Sequence, residues 1–145
     1  MATHGVIDDA NPMYSHLLLA RREGDGEDGS LEAREMLDLR LRADLVVLSA
    51  CDTARGGVHA GEGLIGMSWA LFAAGSPSVI ASQWRVGSAR TETLMTTFYR
   101  EWMKAQRTPF AKAHALRAAR LALLHDAEYR HPYYWSPFVL IGSAD

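Results

Sequence analysis

The nucleophile and proton-shuttle chemistry this sequence offers centres on one thiol, Cys51, and six histidines. Cys51 closes the apolar run from Leu45 to Ala50, which reads as a strand. A thiol at a strand end, ahead of a turn toward a helix, has its pKa lowered by backbone N–H groups and the helix dipole. In acyl transfer its thiolate needs a partner that moves a proton. Two histidines compete for that role. His4 is followed by Gly5, a pair suited to a sharp turn that leaves the glycine N–H free to donate. His59 lies in the same loop as Cys51. The alternatives stay open at this level: Cys51 also fits a buried cysteine acting as a small hydrophobe, and His4 a solvated residue near a terminus. His16, His114, His125 and His131 read as ordinary helix or loop positions.

Other patterns carry less. Gly61-Glu62-Gly63-Leu64-Ile65-Gly66 matches a dinucleotide fingerprint letter for letter. That fingerprint should follow its strand directly and have an acidic residue about 20 positions on. Here a long loop intervenes and position 82 is a serine, so a nucleotide-binding domain is disfavoured. The glycines read instead as sites of close helix packing. A metal site is disfavoured too, because there is no second cysteine and no His-x-x-x-His pair on one helix face. Arg117 and Arg120 share a helix face and read as solvated.

The elements that must position Cys51 follow from periodicity. Leu17 to Ala20 is a candidate edge strand. Residues 21–30, where glycines alternate with charges, read as a flexible charged loop or hairpin tip. Ser30 is a candidate N-cap for a helix from Leu31 to Leu39. The runs at 45–50 and 78–82 are continuously apolar or small, as in strands covered on both faces. Leu64 to Ala74 is a buried helix with Gly75 at its C′ position. From Thr91 to Ala105, Leu94, Phe98 and Trp102 form one helical row, and Met95, Tyr99 and Met103 the next. Thr108 with Pro109 predicts the start of another helix, its inner face formed by Phe110, Ala113, Leu116 and Leu123. A polar aromatic loop then leads to a last strand at 138–141. Alternation of strands and helices predicts an α/β fold with a largely parallel sheet, whose chemistry collects at the strands' carboxyl ends.

Composition bounds these readings. With 145 residues the chain has room for one domain. An apolar fraction of 48% and a charged fraction of 22% exclude a fully disordered chain. A net charge of −2 gives no broad pull toward nucleic acid or anionic membrane. No segment approaches a membrane span and no secretory signal precedes His4, so the expected location is cytoplasmic. A lone cysteine fits that compartment.

Several stretches taken together carry a resemblance. They are Leu45-Val-Val-Leu-Ser-Ala-Cys51-Asp-Thr53, Gly61 to Gly66, Ala74-Gly75 with Ser78 to Trp84, and His131-Pro-Tyr-Tyr-Trp-Ser-Pro-Phe138 through Gly142, with Ala2-Thr3-His4-Gly5 at the start. This sequence resembles the CHAT family, caspase-like cysteine peptidase domains often carried at the C-terminus of tetratricopeptide-repeat proteins. The resemblance implies a caspase-like three-layer sandwich with a mostly parallel sheet flanked by helices. It implies a single domain over 1–145 that lacks the strands and helices preceding the histidine segment in full members. It also implies a Cys51–His4 dyad and an oxyanion site formed by the backbone N–H groups of Gly5 and Cys51. The reaction implied is peptide-bond hydrolysis through a thioester, with a protein or peptide substrate, an accompanying tetratricopeptide-repeat region and no cofactor. Asp52, Glu62 and Trp84 are the candidate substrate-binding residues, the first two suiting a basic side chain and Trp84 an apolar wall; Asp52 equally fits a cap of the following turn, and Trp84 core packing at the strand end. A non-catalytic interaction module is the alternative. One departure is specific: family members carry acidic residues around positions 87 and 88, where this chain has Gly87 and Ser88. A partly exposed apolar edge is expected near 17–20 and 45–50.

Overall fold

Continuously apolar strands need cover on both faces, and the central strands of this chain have it. The computed structural model describes residues 4–21, 24, 26, 28–49, 62–84, 86–105 and 108–145. In chain order the elements are β1 (His4–Val6), a 3-10 turn (Pro12–Tyr14), β2 (His16–Leu18), β3 (Ser30–Glu32), α1 (Ala33–Met36), β4 (Val46–Leu48), α2 (Glu62–Ala73), β5 (Ser78–Ser82), α3 (Ser88–Ala105), α4 (Ala111–His125), α5 (Pro132–Trp135) and β6 (Phe138–Gly142). They form a mixed α/β structure with two small sheets, ordered β1-β2-β3 and β4-β5-β6.

Side chains alternate across β4 and β5, and so do their neighbours. Leu48, Val79 and Ala81 join one apolar cluster with Ala33 and Met36 of α1 and Met67, Ala70 and Leu71 of α2. Val47, Ile80 and Phe138 join another with Leu94 and Phe98 of α3 and Leu116, Ala119 and Leu123 of α4. The second sheet is thus sandwiched between two helical layers. Leu17 of β2 enters the first cluster, which ties the antiparallel sheet to the underside of β4 and β5.

The expectation of a mostly parallel sheet is corrected. Among the described residues only β4 and β5 pair in parallel; β1–β2, β2–β3 and β5–β6 are antiparallel. In the first sheet the short β1–β2 and β2–β3 links return the chain directly and give antiparallel pairs; in the second, the long β5–β6 connection through α3, α4 and α5 also brings β6 back antiparallel. The 17–20 segment is likewise not an edge strand: β2 is the middle strand of its sheet. Leu18 and Leu19 are nevertheless exposed, and β4 ends its sheet among the described residues. Ser30 does not cap a helix but begins β3. The helix starts at Ala33, where Glu32 and Glu35 form a capping box, the Glu35 carboxylate accepting the Glu32 N–H at 2.8 Å.

Two helix ends show how sequence reaches packing. After α2, the Gly75 N–H donates to Phe72 O at 3.0 Å and the Ser76 N–H to Leu71 O at 3.1 Å, a Schellman closure with glycine at the expected C′ position. Gly75 has φ +108, and a Cβ there would stand 2.8 Å from Leu41 O. Gly75→Ala is therefore expected to lower the unfolding free energy by about 1–3 kcal/mol, read as a reduced urea midpoint with unchanged slope. α4 begins later than Thr108 and Pro109 predict. Phe110 precedes it at φ 61, exposed and outside the inner face. The first-turn donors are met by the C-terminal tail: the Phe110 N–H donates to Asp145 Oδ1 at 2.8 Å and the Lys112 N–H to Ala144 O at 3.0 Å. The buried Lys112 ammonium donates to Ser78 Oγ at 2.8 Å, whose hydroxyl in turn donates to Ser143 O at 2.7 Å. Helix, central strand and tail are fastened at one point.

Candidate active site

Because β4 and β5 are parallel, their carboxyl ends lie at the same end of the sheet, with Leu48 opposite Ala81. Three residues further along the sequence stand Cys51 and Trp84, respectively. Cys51, Asp52 and the rival base His59 lie outside the described residues, as does the side chain of Glu62. In the sequence, Cys51, Asp52 and His59 lie between the end of β4 at Leu48 and the start of α2 at Glu62.

Trp84 is fixed by three features of its surroundings. The buried Ser82 hydroxyl donates to Trp84 O at 2.7 Å, turning the chain as β5 ends. The indole Nε1–H donates to Tyr133 O at 3.0 Å. The indole also stacks on the Tyr133 ring, with centroids 6.4 Å apart and planes at 29°. Half-buried, it packs against the second apolar cluster. The Tyr133 ring meets Tyr134 edge-on at 5.5 Å, and Tyr134 meets Tyr129 at 5.7 Å. The Arg90 guanidinium lies 4.7 Å from the Tyr129 centroid and its Nη2 lies 3.2 Å from Glu128 Oε1. The hydrogen bond to Glu128 holds the Tyr129 hydroxyl above its ordinary pKa; burial adds to this and Arg90 opposes it. The result is an aromatic shelf at the carboxyl end of β5, with an exposed tyrosine at its rim.

His4 opens β1, opposite Leu18, and its side chain is exposed; Gly5 opposite Leu17 is buried. The loop that follows is well held. Asp8 Oδ1 accepts from the Ala10 and Asn11 N–H groups at 3.0 and 2.8 Å, and the Asp8 N–H donates to the buried Ser15 Oγ at 3.0 Å. The 3-10 turn within this loop rests on α2 at Gly66, where a Cβ would meet Pro12 Cβ at 3.0 Å. The close-packing reading of the glycine pattern thus applies at Gly66. β1 and β4 each end their sheets, and among the described residues no strand pairing joins them. The link is the shared cluster holding Leu17 and Leu48.

The structure places His4 on β1 and Trp84 just past the end of β5. Gly87 accepts from the Arg90 and Thr91 N–H groups, both at 3.1 Å, so the segment carrying the family departure forms the first turn of α3 rather than a free loop. Sequence reasoning missed Tyr133 and Tyr129. The available signal was the tyrosine pair after Pro132, where His131 caps α5 by accepting the Tyr133 N–H on Nδ1 at 3.2 Å. Among the described residues no cluster of three potential metal ligands occurs, and no helix is long and apolar enough to cross a membrane.

Comparison with known proteins adds two findings. The family model described as "CHAT domain" matches residues 1–143. "Tetratricopeptide repeat protein 28" of Mus musculus is 33% identical over 113 residues, and the Homo sapiens protein of the same name is 31% identical over 113 residues. Each match covers 78% of this chain and 4% of the relative, so the chain spans a small fraction of the curated relatives' length.

Proposed function

Because this chain belongs to the CHAT domain family, we propose that it is a caspase-like cysteine endopeptidase domain working through Cys51 and His4. The observation that carries this reading is the parallel β4–β5 pair, whose shared carboxyl end leads one strand toward Cys51 and the other into the Trp84–Tyr133 shelf. The two helical layers around that sheet support a caspase-like sandwich, with residues 1–145 acting as one domain.

In this mechanism the Cys51 thiolate attacks the scissile carbonyl carbon and forms a C–S bond. The negative oxygen of the tetrahedral intermediate takes hydrogen bonds from the N–H groups of Gly5 and Cys51. Such donors contribute on the order of 3 kcal/mol each to transition-state stabilisation. The C–N bond then breaks, and the His4 imidazolium gives its proton to the leaving amine. Water, deprotonated by His4, attacks the thioester and releases the acid and the thiolate. α2 starts after the Cys51 loop, and its N-terminal dipole favours an anionic sulfur. Asp52 or Glu62 meets a basic substrate side chain before the scissile bond, and Trp84 walls the neighbouring subsite. The relatives' name points to a tetratricopeptide-repeat region as the accompanying module.

One observation favours the interaction-module alternative. α2 is apolar on most sides and leaves Ile65 and Trp69 exposed one turn apart, a surface of the kind that marks protein contacts. A peptidyl acyloxymethyl ketone separates the two readings. The peptidase reading expects an arginine-bearing reagent to label Cys51 in the native chain, with labelling lost on denaturation and much weaker with an aspartate-bearing reagent. Equal labelling of native and denatured chain leaves only the binding module.

A further inference from the structure

β6 closes its sheet on one side, and among the described residues no strand lies beyond it. Its register shows which backbone groups face outward. The Gln83 N–H donates to Pro137 O and the Ser143 N–H to Pro77 O, both on the β5–β6 ladder. In an antiparallel pair such bonds recur at alternate residues. Val139 and Ile141 therefore bond to β5, while Phe138, Leu140 and Gly142 turn their N–H and C=O groups to the open edge.

Beside that edge runs a groove of about 710 Å³ between β6 and α4. Its apolar floor includes Leu116, Leu121, Leu124 and Leu140. Its charged residues are both cations, Arg117 and Arg120. Arg120 is not on a solvated face, as its spacing predicts. It is half-buried, its Nη2 donates to the outward Phe138 O, and its buried Nε has no hydrogen-bond partner among the described residues. Leu124 stands exposed at one end. An edge strand, an apolar channel and a desolvated guanidinium lacking a carboxylate meet in one place.

We propose that this groove takes an extended acidic segment of a protein partner, which adds as a strand to β6 and turns toward α4 a face that carries both apolar side chains, set into the channel, and carboxylates, set against Arg117 and Arg120. Charge complementarity selects this occupant. A second copy paired edge to edge would bring the arginines of both chains to one seam without neutralising them. Strand addition supplies main-chain hydrogen bonds at Leu140 and Gly142, and the groove supplies side-chain selection. The inference uses none of the residues assigned to the Cys51–His4 chemistry, so it stands or falls apart from the peptidase reading.

The test uses the full chain and a fluorescein-labelled peptide of repeating Val-Thr-Glu-Thr, one strand face of which alternates valine with glutamate. Controls carry lysine for glutamate, or N-methyl groups at alternate backbone nitrogens. Fluorescence anisotropy is expected to show saturable binding of the glutamate peptide, weakened about tenfold by Arg117→Gln and further at raised salt. The N-methyl peptide is expected to lose binding. Arg117 is exposed, so its replacement leaves the fold intact; Arg120→Lys provides a second variant that keeps charge but loses the fork geometry. Equal binding of the glutamate and lysine peptides, equal binding of the N-methyl peptide, or no saturable binding overturns the proposal. So does a chain that sediments as a dimer which the glutamate peptide fails to dissociate.

Discussion

Cys51→Ala is expected to reduce peptide hydrolysis by about 10⁴-fold or more, to the level left by binding and the oxyanion donors. His4→Ala is expected to lower kcat/KM by about 10²–10⁴-fold, the usual worth of a positioned proton shuttle. His59→Ala should leave the rate within a few-fold of the parent. The pattern matters more than any one value. Residues acting as a unit are non-additive, so the Cys51→Ala, His4→Ala double variant should be no slower than Cys51→Ala alone. Steady-state cleavage of an arginine-containing fluorogenic peptide reads all four chains. Because the exposed His4 lies on β1 and makes no contribution to either apolar cluster, its loss should leave the melting temperature close to the parent's. A rate that survives His4→Ala but falls with His59→Ala would transfer the base to the rival loop histidine.

The second large effect concerns the layer behind the shelf. Phe98 is 0% exposed, in the middle of α3, with its ring 5.2 Å from Tyr99 and 5.8 Å from Trp102. It anchors the cluster that includes Ile80 of β5 and to which Trp84 is packed. Phe98→Ala is expected to cost about 3–5 kcal/mol through lost burial and the cavity left behind. Domains are typically stable by only about 5–15 kcal/mol, so this single change removes much of the margin. Met103→Ala on the exposed side of the same helix is expected to stay within about 0.5 kcal/mol. Chemical denaturation of both variants separates loss of packing from any general weakening of α3, since both sites are helical and only one is buried.

The parts of the fold legible in the sequence are those specified by long or chemically sharp local patterns. The 78–82 run gave β5 because small and apolar residues fill both faces, and Gly75 marked the end of α2 because a left-handed C′ residue favours glycine. The Leu94–Phe98–Trp102 row faces the core over the length of α3, with Leu94 and Phe98 fully buried. What stayed hidden depended on partners far along the chain. β1, β2 and β3 are three residues each, too short to display an alternation, and their pairing decides which is central. α4 starts at Ala111 because Asp145 and Ala144, more than thirty residues away, satisfy its first donors; Thr108 and Pro109 alone point to an earlier start. Trp84 follows the buried strand β5, as its place in the sequence predicts. Tyr133 was not legible, since only the tertiary fold lays its carbonyl and ring against that indole. Arg120 looked like half of a solvated pair until β6 supplied a carbonyl for it.

The central claim is an assembled thiolate–imidazole pair, and the single cysteine makes it directly measurable. The decisive experiment is the pH dependence of alkylation of the one thiol, in the parent chain and in His4→Ala. The account predicts an apparent thiol pKa well below the free value of about 8.5, returning toward it when His4 is replaced. A thiol that titrates like free cysteine whether or not His4 is present, or that reacts only after denaturation, would contradict it.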